Sequence, residues 1–547
     1  MSNLNTHHGV VFTEYTRAIV HLRGQLRMKR LGVVFGAGIS KSFKIPDWDQ
    51  LVCNISSDPE VAGEDILKRF SSRSSLPYKT ELLFQHFRST EAGKFDPNRV
   101  NSLEFENRVS AKWLMICAKH LYKGSAADIP RELASHSYLV SLIPIVQNTQ
   151  LTVTYNFDDY LEQALAAKRA PDDLSRGYEI VTNPWNQFRR RTAVVYHPNG
   201  VIPRELMELP PDRFVFSESS FAKQFMGTLV GDSSFLLNHF SKNTCIIIGS
   251  SLEDETLRNI LIQNASQNPG NCHYYVHFLR DGETIEAVDK EAISQANFNV
   301  YNLITLFLHQ DEIAALAELI NSNHFTDEQL SDLAVQVHKP LIYRFYMTGP
   351  IGVGKTTTAS QLQSLSVLDE WMEPRLEILA KPWDTLTDVE KEQADAWIIN
   401  QFKLKNDTLR HARMGIFIVD RPPLDPLAFT PPSERPAKAK ALLDAMCPGG
   451  GWEVAGGTIL RLIGNPEELS IRVLATGRDK YTPDRLRKMQ QDLDAVYGNA
   501  DHIRFDSRGM SVCEVTKRIA HIIHFENYRE YSLDGRLKFF RDSTSTT

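Results

Sequence analysis

Residues Gly349-Pro350-Ile351-Gly352-Val353-Gly354-Lys355-Thr356 read G-x-x-x-x-G-K-[ST] in full. A β-branched and aromatic run, residues 341–347, stands before this loop, and helix-forming sequence follows it. Backbone N–H groups of such a loop converge on a phosphate only when a strand and a helix fix its two ends. The motif therefore commits this part of the chain to a strand–loop–helix unit of an α/β fold. Gly349, Gly352 and Gly354 supply the backbone cradle, Lys355 reaches the β- and γ-phosphates, Thr356 meets Mg²⁺, and Thr357 carries the loop into the helix. ATP or another nucleoside triphosphate with Mg²⁺ is the expected ligand.

A second glycine loop lies near the start of the chain. Leu31-Gly32-Val33-Val34-Phe35 reads as a short buried strand after a helical stretch over 13–29, and it runs directly into Gly36-Ala37-Gly38-Ile39-Ser40. Strand patterns recur at 151–154, 193–196, 214–216, 244–248 and 274–279, then at 415–419 and 458–463. Alternation of such strands with helix-length segments predicts parallel α/β sheets. Residues 50–140 read as mainly helical, an insertion after the first strand. The expected organisation is a first domain over 1–326, a linker over 327–340, a second domain over 341–535, and a tail over 536–547.

At 547 residues the chain exceeds one ordinary hydrophobic core. A net charge of -6 gives no basic field for a nucleic-acid backbone, so no nucleic-acid partner is expected. The longest apolar runs, such as Cys245-Ile246-Ile247-Ile248, fall far short of the roughly 20 residues that span a bilayer. Residues 1–12 lack the basic start and apolar stretch of a signal peptide, so a cytoplasmic location with no membrane partner is expected. The six cysteines are scattered without a CxxC pair, which predicts reduced thiols and no structural zinc.

Three further segments extend the N-terminal pattern. Thr154-Tyr155-Asn156-Phe157-Asp158, His197-Pro198-Asn199-Gly200 and Gly249-Ser250-Ser251-Leu252 each follow a predicted strand, so all would gather at one edge of the sheet with Gly36–Ser40. In order and spacing these segments, with Ile45, Pro46 and Trp48 after the first loop, resemble the sirtuin family. The resemblance implies NAD as substrate, with Gly36, Ala37, Gly38, Ser40, Pro46, Trp48, Thr154, Gly249 and Ser250 around it. It implies that Asn156 and Asp158 lie against the nicotinamide ribose and that His197 acts as base on a ribose hydroxyl or on water held there. Protein-deacylating sirtuins carry paired zinc cysteines that this sequence lacks. The resemblance is accordingly to the sirtuin-like NAD hydrolases of bacterial antiphage defence.

The second half resembles deoxynucleoside kinases of the herpesvirus thymidine kinase type over about 343–497. The features are the phosphate loop, Glu373 followed by Pro374, Asp420-Arg421 at the end of a strand, and the cations Arg472, Arg478 and Lys480. By that resemblance Glu373 deprotonates a sugar hydroxyl, Asp420 serves magnesium beside Thr356, Arg421 serves substrate, the three cations close over the phosphates, and Gln393 or Gln401 meets the base. The cationic spacing is looser than that family's.

The expected fold is therefore a sirtuin-like Rossmann-type parallel sheet with a helical insertion, followed by a P-loop nucleoside kinase-like α/β domain. The expected function is an NAD-hydrolysing effector in abortive infection, forming a homo-oligomer and controlled by a nucleotide or nucleoside at the C-terminal domain, with a phage-derived trigger. The alternatives are an active deoxynucleoside kinase carrying an NAD- or ADP-ribose-reading module, and an NAD-dependent protein deacylase.

Overall fold

The structure is a computed structural model that describes residues 6–69, 74–94, 101–125, 128–168, 178–182, 193–205, 214–230, 234–252, 254–381, 385–451, 453–475, 481–498 and 502–543. The chain divides into two compact units, one made of Met1–Glu14, Gln25–Asn264 and His273–Leu330, the other of Tyr15–Gly24, Ala265–Cys272 and Ser331–Thr547.

The first unit is built on a seven-stranded sheet, β1 (Leu31–Phe35), β2 (Thr152–Thr154), β3 (Tyr178–Val181), β4 (Ala193–Tyr196), β5 (Thr244–Ile248), β6 (His273–Phe278) and β7 (Leu303–Leu308), in the order β3-β4-β2-β1-β5-β6-β7. Every pairing is parallel, with Val34 opposite Val153 on one side and Ile247 on the other. β1 and β5 are buried along their whole length, as strands covered by helices on both faces must be. Val34, Val153, Val194 and Ile247 share one apolar cluster with Leu257, Leu261 and Phe240. The strand order turns at β1, the place where open parallel sheets bind ligands beyond their C-terminal strand ends.

Between β1 and β2 the described residues form the helices Trp48–Ser56, Glu64–Arg69, Leu76–Ala92, Ser102–Leu121, Ile129–Ser135 and Ser137–Asn148. Trp113 packs against Phe84 and Phe87 within them, and the buried Asp58 carboxylate is met by Lys119 and His120.

The second unit carries a five-stranded parallel sheet, β8 (Ile342–Thr348), β9 (Ser366–Leu368), β10 (Gly415–Asp420), β11 (Thr458–Ile463) and β12 (His502–Asp506), in the order β12-β11-β8-β10-β9. β8, the strand that feeds the phosphate loop, is central, and the strand order again turns there.

Mixed α/β architecture with two parallel sheets agrees with the pattern read from the sequence. Several local details differ. Residues 214–216 form no strand: Val215 N–H donates to Asn199 O at 2.8 Å, and Phe214 and Phe216 pack on Phe157. The first helix spans His7–Arg27. The stretch 327–340, expected as a linker, contains the helix Asp327–Gln336 with Leu330, Leu333 and Ala334 buried. The expected tail begins inside the helix Leu533–Asp542, where Leu537 is buried. All six cysteines are free, four of them buried. Among the described residues no helix is long and apolar enough to cross a membrane.

Candidate functional site

β4, β2, β1 and β5 are consecutive in the first sheet, so the segments that leave their C-terminal ends meet at one edge. The loop after β1 is stitched to the loop after β5: Gly36 N–H donates to Ile248 O at 3.0 Å and Gly38 N–H to Gly249 O at 2.8 Å. Gly249 has φ +74°, and a Cβ there would lie 2.5 Å from Ile39 N. Its glycine is thus required twice over, by conformation and by contact. Beyond it, Ser250 Oγ accepts from Leu252 N–H, and Ser250 O accepts from the Tyr275 hydroxyl.

The first loop continues as a 3₁₀ turn, Ala37–Phe43, which turns Ser40 inward while Ala37 and Gly38 stay exposed. Ser40 Oγ donates to Asp158 Oδ1 at 2.9 Å and accepts from Asn156 Nδ2 at 3.1 Å. Asp158 Oδ1 also accepts from Tyr160 N–H, where the helix Tyr160–Ala167 begins. The helix begins at Tyr160, where Asp158 turns back to meet its amide. Thr154 Oγ1 accepts from Asn156 N–H. Phe35, Ile39, Ser40, Leu139, Thr154, Asn156, Asp158 and Leu161 line a cavity of about 10 Å³, room for a single water. Asn156 Oδ1 is buried with no hydrogen-bond partner. Burial pushes the Asp158 carboxyl up to about 6, against the opposing bonds from Ser40 and Tyr160.

His197 follows β4 but is not among the residues lining that cavity. It is fully buried, with Nδ1 3.1 Å from Asn156 O and Nε2 2.8 Å from Glu162 Oε1. Burial alone would depress its pKa, yet the Glu162 charge and the two hydrogen bonds raise it above the usual histidine value. The next residues turn sharply, Gly200 N–H donating to His197 O, and Gln224 Nε2 meets both Pro198 O and Asn199 Oδ1. Pro46 is half-buried, and Trp48 stacks on Phe216 and Phe221 in an aromatic cluster.

In the second unit Gly349, Gly352 and Gly354 have φ of +150°, +82° and +98°, backbone shapes that aim successive N–H groups into the loop. Lys355 Nζ donates to Gly349 O at 2.9 Å and Pro350 O at 3.0 Å. Burial, with Arg421 nearby, brings Lys355 down to about 8. Thr356 Oγ1 donates to Asp420 Oδ2 at 2.7 Å, while Asp420 Oδ1 is buried without a partner. A hydroxyl beside a carboxylate with a spare oxygen is the donor set a magnesium ion takes. Thr357 is exposed on the following helix. Among the described residues no group of three or more His, Cys, Asp and Glu could hold a metal ion.

Arg421 adopts φ +66° and donates through Nε to Glu370 at 2.7 Å and through Nη1 to Asp425 at 3.4 Å. Asp425 Oδ1 accepts from Thr348 and Tyr497 hydroxyls, each at 2.6 Å. The buried Lys405 donates to Asp420 O at 2.6 Å. Glu373 is exposed, and Gln401 holds its segment: Oε1 accepts from Met372 and Glu373 N–H, and Nε2 donates to Glu373 Oε2. Gln401 is thereby committed to the Glu-Pro turn, and Gln393 is exposed. Arg472 is exposed near the end of the helix Pro466–Leu474, and Arg478 and Lys480 lie outside the described residues.

Glu162, Glu370, Asp425 and Lys405 escaped the sequence reading. Glu162 follows Asp158 by four residues, one helical turn, but that signal has meaning only once a helix is known to begin there. Glu370 precedes Glu373 by three residues and belongs to no motif of its own.

Residues 150–302 match the family described as SIR2-like domain, a stretch that holds Asn156, Asp158, Glu162, His197 and Gly249. A SIR2-like domain points to an NAD-related function. No curated protein matches the chain. Among solved structures the chain is similar to thymidylate kinase from Candida albicans, at 17% identity over 35% of this chain and 96% of that one, with a TM-score of 0.26. It is also similar to the NadR protein solved with NR, at 11% identity over 53% of this chain and 79% of that one, with a TM-score of 0.25. NadR solved with NAD and AMP-PNP gives 12% identity over 53% and 80%, with a TM-score of 0.25. TM-scores of this size give no ground for transferring fold or activity.

Proposed function

We propose that the first unit hydrolyses NAD to nicotinamide and ADP-ribose, and that the second binds a nucleoside triphosphate with Mg²⁺ and controls that hydrolysis. The observation that carries the reading is the Ser40–Asn156–Asp158 cluster lining a small pocket, at the edge of a parallel sheet in a SIR2-like domain. Breaking the bond between the ribose C1′ and the nicotinamide nitrogen sends the electron pair to nicotinamide, which leaves neutral. Positive charge then develops on the ribose, and water adds to C1′.

Asn156 Oδ1, buried and unpartnered, is the acceptor offered to a ribose hydroxyl or to that water. Asp158, held near neutrality in its tendency to take a proton, receives the proton the water gives up. His197, engaged at both ring nitrogens, supports Asn156 from behind. A cavity with room for one water does not admit NAD, so the walls formed by Ile39, Leu139 and Leu161 must part before turnover. In this reading nucleotide at Lys355 and Thr356 biases that opening, the protein acts as a homo-oligomer in the cytoplasm, and a phage-altered nucleotide pool is the trigger of an abortive infection.

The test is to incubate the purified chain with NAD, with and without ATP, other nucleoside triphosphates and Mg²⁺, and to separate the products. Nicotinamide and ADP-ribose in equal amounts support the reading. NAD consumption that needs an acylated peptide would favour a deacylase, and phosphate transfer to a nucleoside without NAD loss would favour a kinase.

A further inference from the structure

Glu162 and His197 form a fully buried acid–imidazole pair. Their side chains are 1% and 0% exposed, and Glu162 Oε1 lies 2.8 Å from His197 Nε2. The other ring nitrogen, Nδ1, lies 3.1 Å from the Asn156 carbonyl, which can only accept. Nδ1 therefore donates to that carbonyl, and a proton on Nε2 faces the Glu162 carboxylate. Glu162 Oε2 is buried without a partner, so the carboxylate has no anchor of its own other than the imidazole. A buried acid and base of this kind cost desolvation that an apolar pair would not, and removing one partner leaves the other uncompensated. The pair orients one thing next to the cavity, the peptide that carries Asn156.

We infer that Glu162 is a positioning residue: it fixes the His197 ring, and the ring, through its bond to Asn156 O, holds the Asn156 carboxamide at the cavity. This rests on the NAD-hydrolase reading for its catalytic consequence, but the pair itself can be read without any turnover. The charged groups that face His197 are Glu162 from the helix Tyr160–Ala167 and Asp158 from the loop before it. Both favour the protonated ring, so His197 should keep its proton to higher pH than an ordinary histidine. Replacing Glu162 with glutamine keeps the shape of the side chain, removes the charge with the stronger effect on His197 and leaves Asp158.

The experiment uses the full chain with ¹³C-labelled histidine, His197 being identified by the signal lost in His197→Asn. His197 is titrated in the wild type, Glu162→Gln and Glu162→Asp, and NAD hydrolysis is followed in the same samples. The expected result is an elevated His197 titration in the wild type that drops in Glu162→Gln and is partly restored in Glu162→Asp. In parallel kcat should fall at least about tenfold in Glu162→Gln with KM changed less than about threefold. An ordinary His197 titration in the wild type overturns the inference, and this reading stands even if a variant fails to fold. So does a Glu162→Gln enzyme with wild-type kcat and an unchanged pH profile. A wild type that hydrolyses no NAD but shows the elevated, Glu162-dependent titration supports the pair and sinks the NAD-hydrolase reading instead.

Discussion

Ser40 donates its hydroxyl proton to Asp158 at 2.9 Å, and the same oxygen accepts from Asn156, so one small side chain satisfies two buried polar groups at once. In Ser40→Ala the Asp158 carboxylate and the Asn156 amide each lose a partner inside a cavity that holds at most one water. The cost is about 1–3 kcal/mol of stability, because unmade buried hydrogen bonds carry the full desolvation penalty. Urea unfolding measures it. NAD hydrolysis should fall at least about tenfold in the same variant, since ribose and water lose their oriented neighbours.

Asp158 gives a pH signature. Its carboxyl is raised from 3.8 to about 6 by burial, so the folded state binds this proton more tightly than the unfolded chain does. Well below pH 3.8 the group is neutral in both states and costs nothing. As pH rises towards 6 the unfolded chain ionises while the folded one resists, and stability declines; above 6 the loss is complete at about 3 kcal/mol. Asp158→Asn removes that loss. Thermal melts should show the variant more stable than the wild type at pH 8 and close to it at pH 4, together with loss of NAD hydrolysis.

Gly249→Ala tests the packing of the two loops. The new Cβ meets Ile39 N at 2.5 Å, and the residue must hold φ +74°. The conformation alone costs about 1–2 kcal/mol, and the clash adds to it. Differential scanning calorimetry should show a lower Tm, with NAD hydrolysis lost alongside.

How much of this was legible in the sequence differs between strands and contacts. β1 and β8 were readable because each is a short buried run ending in glycines, and glycine loops announce where a strand stops. β3, β9 and β12 were missed: Tyr178–Val181 is half-exposed, Ser366–Leu368 is only three residues, and His502–Asp506 alternates charge with apolar residues at a sheet edge. β7, Leu303–Leu308, was missed as well, although all six of its residues are buried. Phe214-Val215-Phe216 has strand composition but spends its aromatic rings on Trp48 and Phe157, a tertiary contact no local pattern reveals. At the site, motif order brought Ser40, Asn156 and Asp158 together. It did not show that His197 would be turned onto Glu162, because that depends on where the helix Tyr160–Ala167 begins.

The second unit makes its own prediction. Lys355 is held near 8 by burial, and a bound phosphate favours its charged form, so binding raises its pKa and takes up a proton when pH exceeds 8. Affinity for a nucleoside triphosphate with Mg²⁺ should therefore be flat below pH 7 and fall as pH rises through 8 towards 10. Isothermal titration calorimetry in buffers of different ionisation enthalpy reads both the affinity and the proton uptake. Lys355→Ala should lose binding and its pH dependence together, and removal of Mg²⁺ should weaken binding through Thr356 and Asp420.

In the proposed function, NAD is destroyed at the cavity beside Asn156. The direct measurement is NAD loss and product identity for the purified full chain and for Asn156→Ala, with nucleoside triphosphates and Mg²⁺ present. Conversion of NAD to nicotinamide and ADP-ribose by the wild type, lost in Asn156→Ala while the fold is kept, is the predicted result. Equal NAD loss by the two proteins, or none by the wild type under any nucleotide, contradicts the account.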